Sequence, residues 1–384
     1  MTTIAKLDRL IGFDTTSRHD NRALIDWIAE ILRPLGAEVV IVPDETGGKA
    51  NLYATIGPRD RAGVLLSGHT DVVPVDGQDW TVPAFRMTEK DGRYFGRGTT
   101  DMKGFIAAAL SAAEAASRRD LTTPLHLAFS YDEEIGCVGV RSLVEMLRAA
   151  PFRPAFCIVG EPTQMAVATG HKGKTAIEVE CIGLEGHSAL APFAMNAIYM
   201  ATDLITAIRA EQQRIAGDGA RDGDYDVPYS TLHTGRIAGG GALNIVPNSC
   251  RFAWEIRNVA EDDPMQILAT LRAAADQIVA AAQKVAPDAD ITFRISNTYP
   301  GLSTPPTAAV VDFVKGLTGA NGTIKVAFGT EGGLFSSELG VPSVVCGPGS
   351  MAQGHKPDEF ITGDQLDACD RMLMALVDRL EQGL

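Results

Sequence analysis

Short apolar runs, separated from one another by helix-patterned stretches, constrain this chain more than any other feature. Val64-Leu65-Leu66 leads into Ser67-Gly68-His69, Leu125 to Tyr131 and Phe156 to Val159 follow, and Ser343-Val344-Val345 comes late. Between them, apolar residues fall at helical spacing: Leu24, Ile25, Trp27, Ile28, Ile31 and Leu32, then the alanine-rich stretch Met102 to Ser117, then Val140 to Leu147. A further strand is expected near Glu38 to Val42. Strands of this kind alternating with helices imply βαβ units, hence an α/β fold with a mainly parallel sheet flanked by helices.

The pattern changes near residue 172. Ile177, Val179 and Cys181 alternate with Glu178 and Glu180, and Phe252, Trp254 and Ile256 alternate with Arg251, Glu255 and Arg257. That period belongs to strands buried on one face only. A helix is expected from about Ala194 to Ala210, a loop over Gly217 to Asp226, and another helix beginning at Asp263-Pro264, a cap followed by proline in the first turn. After about residue 298 the first pattern returns, with helices near Ala308 to Leu317 and Gln365 to Leu380. The expected organisation is a discontinuous α/β domain, residues 1–172 and 298–384, interrupted by a two-layer α+β insert at residues 173–297.

Composition removes several classes of function. The formal net charge of −14 leaves no basic excess to neutralise phosphates, so neither a nucleic acid nor an anionic membrane surface is an expected partner. The six cysteines (Cys137, Cys157, Cys181, Cys250, Cys346 and Cys369) form no CxxC pair, and most sit in apolar runs as reduced, buried thiols would. The opening segment has no long apolar stretch of the signal-peptide kind, and nothing approaches the ~20 apolar residues of a membrane span. A cytoplasmic location is expected.

In parallel α/β sheets, ligands bind beyond the carboxyl ends of the strands. The polar residues that follow the apolar runs are His69 and Asp71, then Asp132, Glu133 and Glu134, then Glu161, and after a glycine-rich turn His355. Asp101 opens a helix after Gly96-Arg97-Gly98-Thr99-Thr100. Alone, His69 reads as a structural histidine, Asp132-Glu133-Glu134 as a solvated turn and Asp101 as a helix cap. Together on one sheet edge they suit divalent ions, which take imidazole and carboxylate ligands. A two-metal site needs a shared carboxylate, for which Asp101 is the natural choice, and a base that is not itself a ligand. On an extended segment Glu133 and Glu134 would point opposite ways, so one can ligate while the other takes a proton.

At these residues the chain resembles the dinuclear-zinc peptidase family that includes aminoacylases, carboxypeptidase G, succinyl-diaminopimelate desuccinylase and acetylornithine deacetylase. The matching runs are Ser67-Gly68-His69-Thr70-Asp71-Val72-Val73-Pro74, Gly96-Arg97-Gly98-Thr99-Thr100-Asp101-Met102-Lys103-Gly104, Asp132-Glu133-Glu134, Gly160-Glu161-Pro162, Gly186-His187-Ser188 and His355-Lys356-Pro357-Asp358-Glu359. The resemblance implies that His69, Asp101 and Glu161 hold one metal and Asp101, Glu134 and His355 the other. It implies that Glu133 is the general base and that Asp71 fixes the ring of His69. It further implies a dimerising insert, with His187 reaching a partner's site to stabilise an oxyanion, and Asn244 and Arg257 holding the substrate carboxylate. Two divalent ions are expected, zinc first, with cobalt and manganese suited to overlapping ligands.

Within the family, Gly239-Gly240-Gly241-Ala242-Leu243-Asn244-Ile245-Val246-Pro247, Trp254-Glu255-Ile256-Arg257, Gly329-Thr330-Glu331-Gly332-Gly333 and Cys346-Gly347-Pro348-Gly349-Ser350 lean towards the acetylornithine deacetylases. There Glu331 would pair with the side-chain ammonium of the substrate, or else cap a helix start. The expected reaction is hydrolysis of N-acetyl-L-ornithine to acetate and L-ornithine, in arginine synthesis. Rival expectations are succinyl-diaminopimelate or another N-acyl amino acid, a dipeptide, and, from a different class, a non-catalytic metal-dependent binding protein.

Overall fold

A computed structural model describes residues 1–384, and the chain divides into two compact units: Met1–His171 with Leu302–Leu384, and Lys172–Gly301. In the first unit the continuous apolar runs become the middle of a nine-stranded sheet. Leu125–Ser130, Val64–His69, Phe156–Pro162 and Ser343–Gly347 lie side by side in that order, all parallel. Their residues are buried on both faces, which is why no polar alternation is written into them. Towards the edges the pairing turns antiparallel: Glu38–Pro43 and Ala50–Ile56 on one side, Ala168–His171 and Leu302–Ser303 on the other.

Register brings the carboxyl ends of the parallel strands level. His69 pairs with Ser130, Ser67 with Val159, and Val345 with Val159. The residues that follow therefore emerge along one line of the sheet edge, as strand-end chemistry requires. Over this sheet lies the helix Gly104–Ala116, most of whose residues are fully buried. It sits so close that a Cβ on Gly160 would fall 2.0 Å from the ring of Phe105, so only glycine fits there. Helix Gly363–Gln382 packs on the outside, started by a capping box between Thr362 and Gln365. A small sheet of Thr88–Lys90, Arg93–Phe95 and Phe360–Thr362 sets Phe95 opposite Phe360.

The second unit is a four-stranded antiparallel sheet in the order Thr231–Gly239, Ser249–Asn258, Gly173–Ile182, Asp290–Tyr299. Ile177, Val179, Cys181, Phe252, Trp254 and Ile256 bury one face under the helices Ala197–Asp218 and Pro264–Ala282. Asp263 caps the second helix, accepting the Met265 N–H at 2.8 Å. The opposite face carries the alternating charges, with Arg251 on Glu180 at 2.7 Å.

Several local expectations need correction. The alanine-rich helix begins at Gly104, and Asp101 lies ahead of it in non-helical backbone (φ −122°, ψ 93°), joined to Met102 by a cis peptide. Glu133 and Glu134 sit on a turn rather than an extended segment, because Gly136 and Cys137 both return their N–H groups to the Glu133 carbonyl. The helix expected to stop near Ala210 runs to Asp218. No helix is long and apolar enough to cross a membrane.

Candidate metal centre

At the sheet edge the first unit brings together His69, Asp101, Glu134, Glu161 and His355. His69 Nε2 lies 3.1 Å from Asp101 Oδ1 and 3.5 Å from Glu161 Oε1. His355 Nε2 lies 3.0 Å from Asp101 Oδ2 and 3.1 Å from Glu134 Oε2. The two oxygens of Asp101 thus face the two imidazoles, one each. His69 and Glu161 come from strands, whereas Asp101 and His355 come from irregular segments, His355 with φ 59°.

Glu133 stands at the same place. Ligand-type atoms of His69, Glu133 and Glu161, and likewise of His69, Asp101 and Glu134, lie within 4.8 Å of one another. Its turn is fixed from below by Asp71, whose Oδ1 accepts the Glu133 N–H at 3.0 Å and whose Oδ2 accepts the Glu134 N–H at 3.3 Å and the Ser17 hydroxyl at 2.7 Å. The Cys137 thiol reaches Glu133 Oε1 at 3.4 Å. Asp132, at φ 56° and buried, pairs instead with Lys49 at 2.6 Å.

The ring of His69 is held by Asp71, but mainly through its backbone. Nδ1 is 3.0 Å from the Asp71 carbonyl oxygen and 3.5 Å from its carboxylate. A carbonyl can only accept, so Nδ1 carries a proton, and Nε2 is the nitrogen that would face a bound metal.

Charge balance tests whether these residues suit cations. Glu161 is buried and Glu133 and Glu134 are half-buried among other carboxylates, and no lysine or arginine makes an ion pair with any of them. Burial and then Asp101 push the Glu134 carboxyl up to about 7 and that of Glu161 up to about 8. Burial drives Glu133 well above the usual range, with Glu161, Glu134 and Glu331 adding to it against the pull of His69. Burial opposes a charge on His69 as well, but hydrogen bonds to Asp101, Asp71 and Glu161 raise its imidazole strongly. Hydrogen bonds to Asp101 and Glu134 lift His355 to about 11. The protein supplies an excess of buried negative charge and a set of imidazole and carboxylate donors, which is what divalent cations require.

Glu331 lies 1% exposed behind the site. Its carboxylate accepts from the Ser67 hydroxyl at 3.1 Å and from the Ser130 hydroxyl, and it makes no cap bond to the helix Gly332–Leu339 that follows. Both serines sit near strand ends, and Ser67 and Ser130 were not singled out by sequence because a strand serine carries no periodic or charge signal.

His187, Asn244 and Arg257 belong to the second unit. Gly186–His187 pairs with Ile245–Val246, and the Asn244 carbonyl accepts the Ser188 N–H at 3.0 Å, so His187 and Asn244 are neighbours. His187 is exposed, its Nδ1 accepting the Ala189 N–H at 3.1 Å. Arg257 lies near the far end of the Ser249–Asn258 strand, bonded to Glu255 at 3.0 Å and to the Tyr299 hydroxyl at 3.1 Å. The unit does not bring Arg257 and Asn244 together.

The chain is similar to several known proteins over nearly its whole length. Residues 65–379 match the Peptidase family M20/M25/M40. An acetylornithine deacetylase of Myxococcus xanthus is 36% identical over 378 residues, covering 97% of this chain and 96% of that one. One from Photorhabdus laumondii is 31% identical, covering 95% and 92%. Among solved structures, an M20 family metallo-carboxypeptidase from Sulfolobus solfataricus superposes with a TM-score of 0.78 at 18% identity, covering 99% of both chains. A dinuclear metal-binding M20 peptidase from Bacillus subtilis gives 0.69 at 14% identity, over 98% of this chain and 96% of that one.

Proposed function

Because this chain belongs to the M20/M25/M40 peptidase family and is a metal-dependent hydrolase, we propose that it cleaves the amide bond of N-acetyl-L-ornithine, releasing acetate and L-ornithine. The observation that carries the chemistry is the convergence of two imidazoles and two carboxylates around Asp101, with a further acid, Glu133, beside them. Similarity over nearly the whole length to curated acetylornithine deacetylases supports the choice of substrate.

His69, Asp101 and Glu161 would hold one divalent ion, zinc by preference, and Asp101, Glu134 and His355 a second. Bound there, the ions would acidify water and polarise the amide carbonyl. Glu133 is the base: its burial raises its affinity for the proton of the attacking water, and it returns that proton to the leaving nitrogen. Asp71 keeps Glu133 in place through the backbone of the turn and keeps a proton on Nδ1 of His69 through its own carbonyl, so that Nε2 would be the nitrogen left for a metal. His187 and Asn244, adjacent in the second unit, act as a pair on the oxyanion and the substrate carboxylate. Arg257, with its planar donor fork, offers a separate contact to the carboxylate.

We place His187 in the site of a second copy of the chain, in a homodimer formed through the second unit. In support, large apolar residues are exposed around it: Leu184, Leu190, Phe193, Leu243 and Ile245, with Leu243 wholly open to solvent. The reading is tested with a substrate panel on zinc-, cobalt- and manganese-loaded enzyme. N-acetylornithine should give the highest kcat/KM, above N-succinyl-diaminopimelate, simple N-acetyl amino acids and dipeptides. Faster turnover of any of these would transfer the assignment to that substrate.

A further inference from the structure

Glu359 is 1% exposed and commits its carboxylate to the segment that carries Asp101. Oε1 accepts the N–H groups of Thr100 at 2.9 Å and Asp101 at 3.1 Å, and Oε2 accepts those of Gly98 at 3.0 Å and of the Arg97 guanidinium at 2.7 Å. Arg97, equally buried, reaches the other way. Its second amino group donates to Gln78 Oε1 at 2.6 Å, and Gln78 Nε2 donates to the main-chain carbonyl of His355 at 3.1 Å. The pairing of Phe95 with Phe360 fixes the two stretches of chain beside each other. One buried ion pair therefore supports, from behind, both segments that meet where Asp101 Oδ2 faces His355 Nε2.

We propose that Glu359 and Arg97 are positioning residues for the His355 half of the metal centre, and that they set the affinity of that half for a divalent cation. The inference rests on the metal-centre reading above and goes beyond it. His69 and Glu161 project from buried strands, whose ladders fix their backbones. Asp101 lies in non-helical backbone and His355 on a left-handed turn with its side chain 43% exposed, so no regular element fixes either. What organises the first is a carboxylate that collects the backbone N–H groups of Gly98, Thr100 and Asp101 itself. What braces the second is the Gln78 link to the same ion pair. Groups that orient ligands without touching the metal commonly change affinity by roughly 10- to 100-fold.

Replacing Glu359 by Gln is a sharp perturbation. One carboxylate oxygen becomes an amino group, and every partner at that position is a donor, so N–H would face N–H. Gln78→Ala is milder: it removes a partly exposed side chain, the brace to His355 and the acceptor used by Arg97 and Trp80, but leaves the Glu359 carboxylate and its bonds to the Asp101 segment in place.

The test titrates the metal-free full-length chain with Co(II), by calorimetry and by the visible absorption of the bound ion, with circular dichroism and Tm as controls for folding. Wild type should take up two ions per chain. In Glu359→Gln both steps should weaken, since Asp101 serves both ions, but one should weaken roughly 10- to 100-fold more than the other, with the absorption of that step altered. Gln78→Ala should weaken the same step by less. A folded Glu359→Gln chain that binds both ions as wild type does, or that weakens both steps equally, overturns the inference. If Glu359→Gln does not fold, an unchanged titration of Gln78→Ala overturns it. A wild-type chain that takes up no Co(II) would instead defeat the metal-centre reading, and the inference with it.

Discussion

Asp71 holds Glu133 by its carboxylate and His69 by its backbone: Oδ1 accepts the Glu133 N–H at 3.0 Å, while the Asp71 carbonyl oxygen lies 3.0 Å from His69 Nδ1. The two duties are separable by mutation. Asp71→Ala keeps the carbonyl, and with it the tautomer of His69, but frees the turn that presents Glu133. The same turn carries Glu134, so the ion assigned to Asp101, Glu134 and His355 should bind more weakly, while the ion assigned to His69, Asp101 and Glu161 stays and kcat falls by roughly 10- to 100-fold. Metal analysis beside steady-state kinetics decides it. Loss of both ions would mean that the carboxylate, and not the backbone, is what keeps His69 in place.

Glu133→Gln should separate chemistry from metal binding more fully. The amide keeps the shape of the side chain but has no basic oxygen for the proton, so kcat should drop by about 100-fold or more with the ions still bound. If the variant also loses an ion, Glu133 is a ligand and the base must be sought elsewhere.

Strand ends were legible because nothing else explains runs such as Val64-Leu65-Leu66 or Phe156 to Val159: both faces are buried, and the next polar residue must come out at the sheet edge. Asp101 was legible as a site residue but not in its local structure. Sequence read it as a helix start, whereas its backbone is shaped by a carboxylate 258 residues further on, a tertiary influence that no local propensity reports. The Ala168–His171 and Thr231–Gly239 strands went unread for the opposite reason: one is short and the other carries mostly exposed residues, so neither has a usable apolar period. The partners Ser17, Ser67 and Ser130 lay beyond a pattern-based reading, since a hydroxyl becomes informative only once the acid it serves is in view.

Glu331 gives a direct contest between two roles. If it met the ammonium of acetylornithine, Glu331→Gln would raise KM for that substrate and spare N-acetylnorvaline, which has no ammonium. Its burial and its bonds to Ser67 and Ser130 favour the other outcome. We expect kcat/KM to fall by a similar factor, about 10-fold or more, for both compounds, because the loss disturbs the strand ends beneath the site. Parallel kinetics on the two substrates distinguish the roles, and selective loss on acetylornithine would restore the ammonium pairing.

Away from the site, His126 should make the fold sensitive to acid. Burial presses its imidazole down to about 4, with Nδ1 3.0 Å from the Thr55 hydroxyl and the ring stacked on Tyr53. A folded-state value below the unfolded one, about 6.5, means that the unfolded chain takes the proton first as pH falls. The stabilisation is present above pH ~6.5 and is lost progressively down to pH ~4. Between pH 7 and pH 5 the loss should be about 2 kcal/mol. Urea unfolding of wild type and His126→Gln at both values measures it: the variant should be the less pH-dependent by about that amount. Equal pH dependence would show that the imidazole is not held neutral.

The shared-site proposal can be tested by mixing inactive chains. His187→Ala leaves Glu133 intact in its own catalytic unit, and Glu133→Gln leaves His187 intact to offer to a neighbour. If His187 completes the partner's site, a mixed dimer has one whole site, made of Glu133 from the first chain and His187 from the second. After equimolar subunit exchange half the dimers are mixed and each has one of two sites restored, so activity should recover to about a quarter of wild type. Asn244→Ala should complement Glu133→Gln in the same way, because Asn244 is joined to the His187 turn through the Ser188 N–H. His187→Ala mixed with Asn244→Ala should recover nothing, or nearly so, since every site would receive one damaged pair. Exchange is checked independently by mass spectrometry of the mixed dimer. If exchange is complete and the first mixture stays inactive, His187 serves its own subunit or has no part in the reaction, and the apolar residues around it need another explanation.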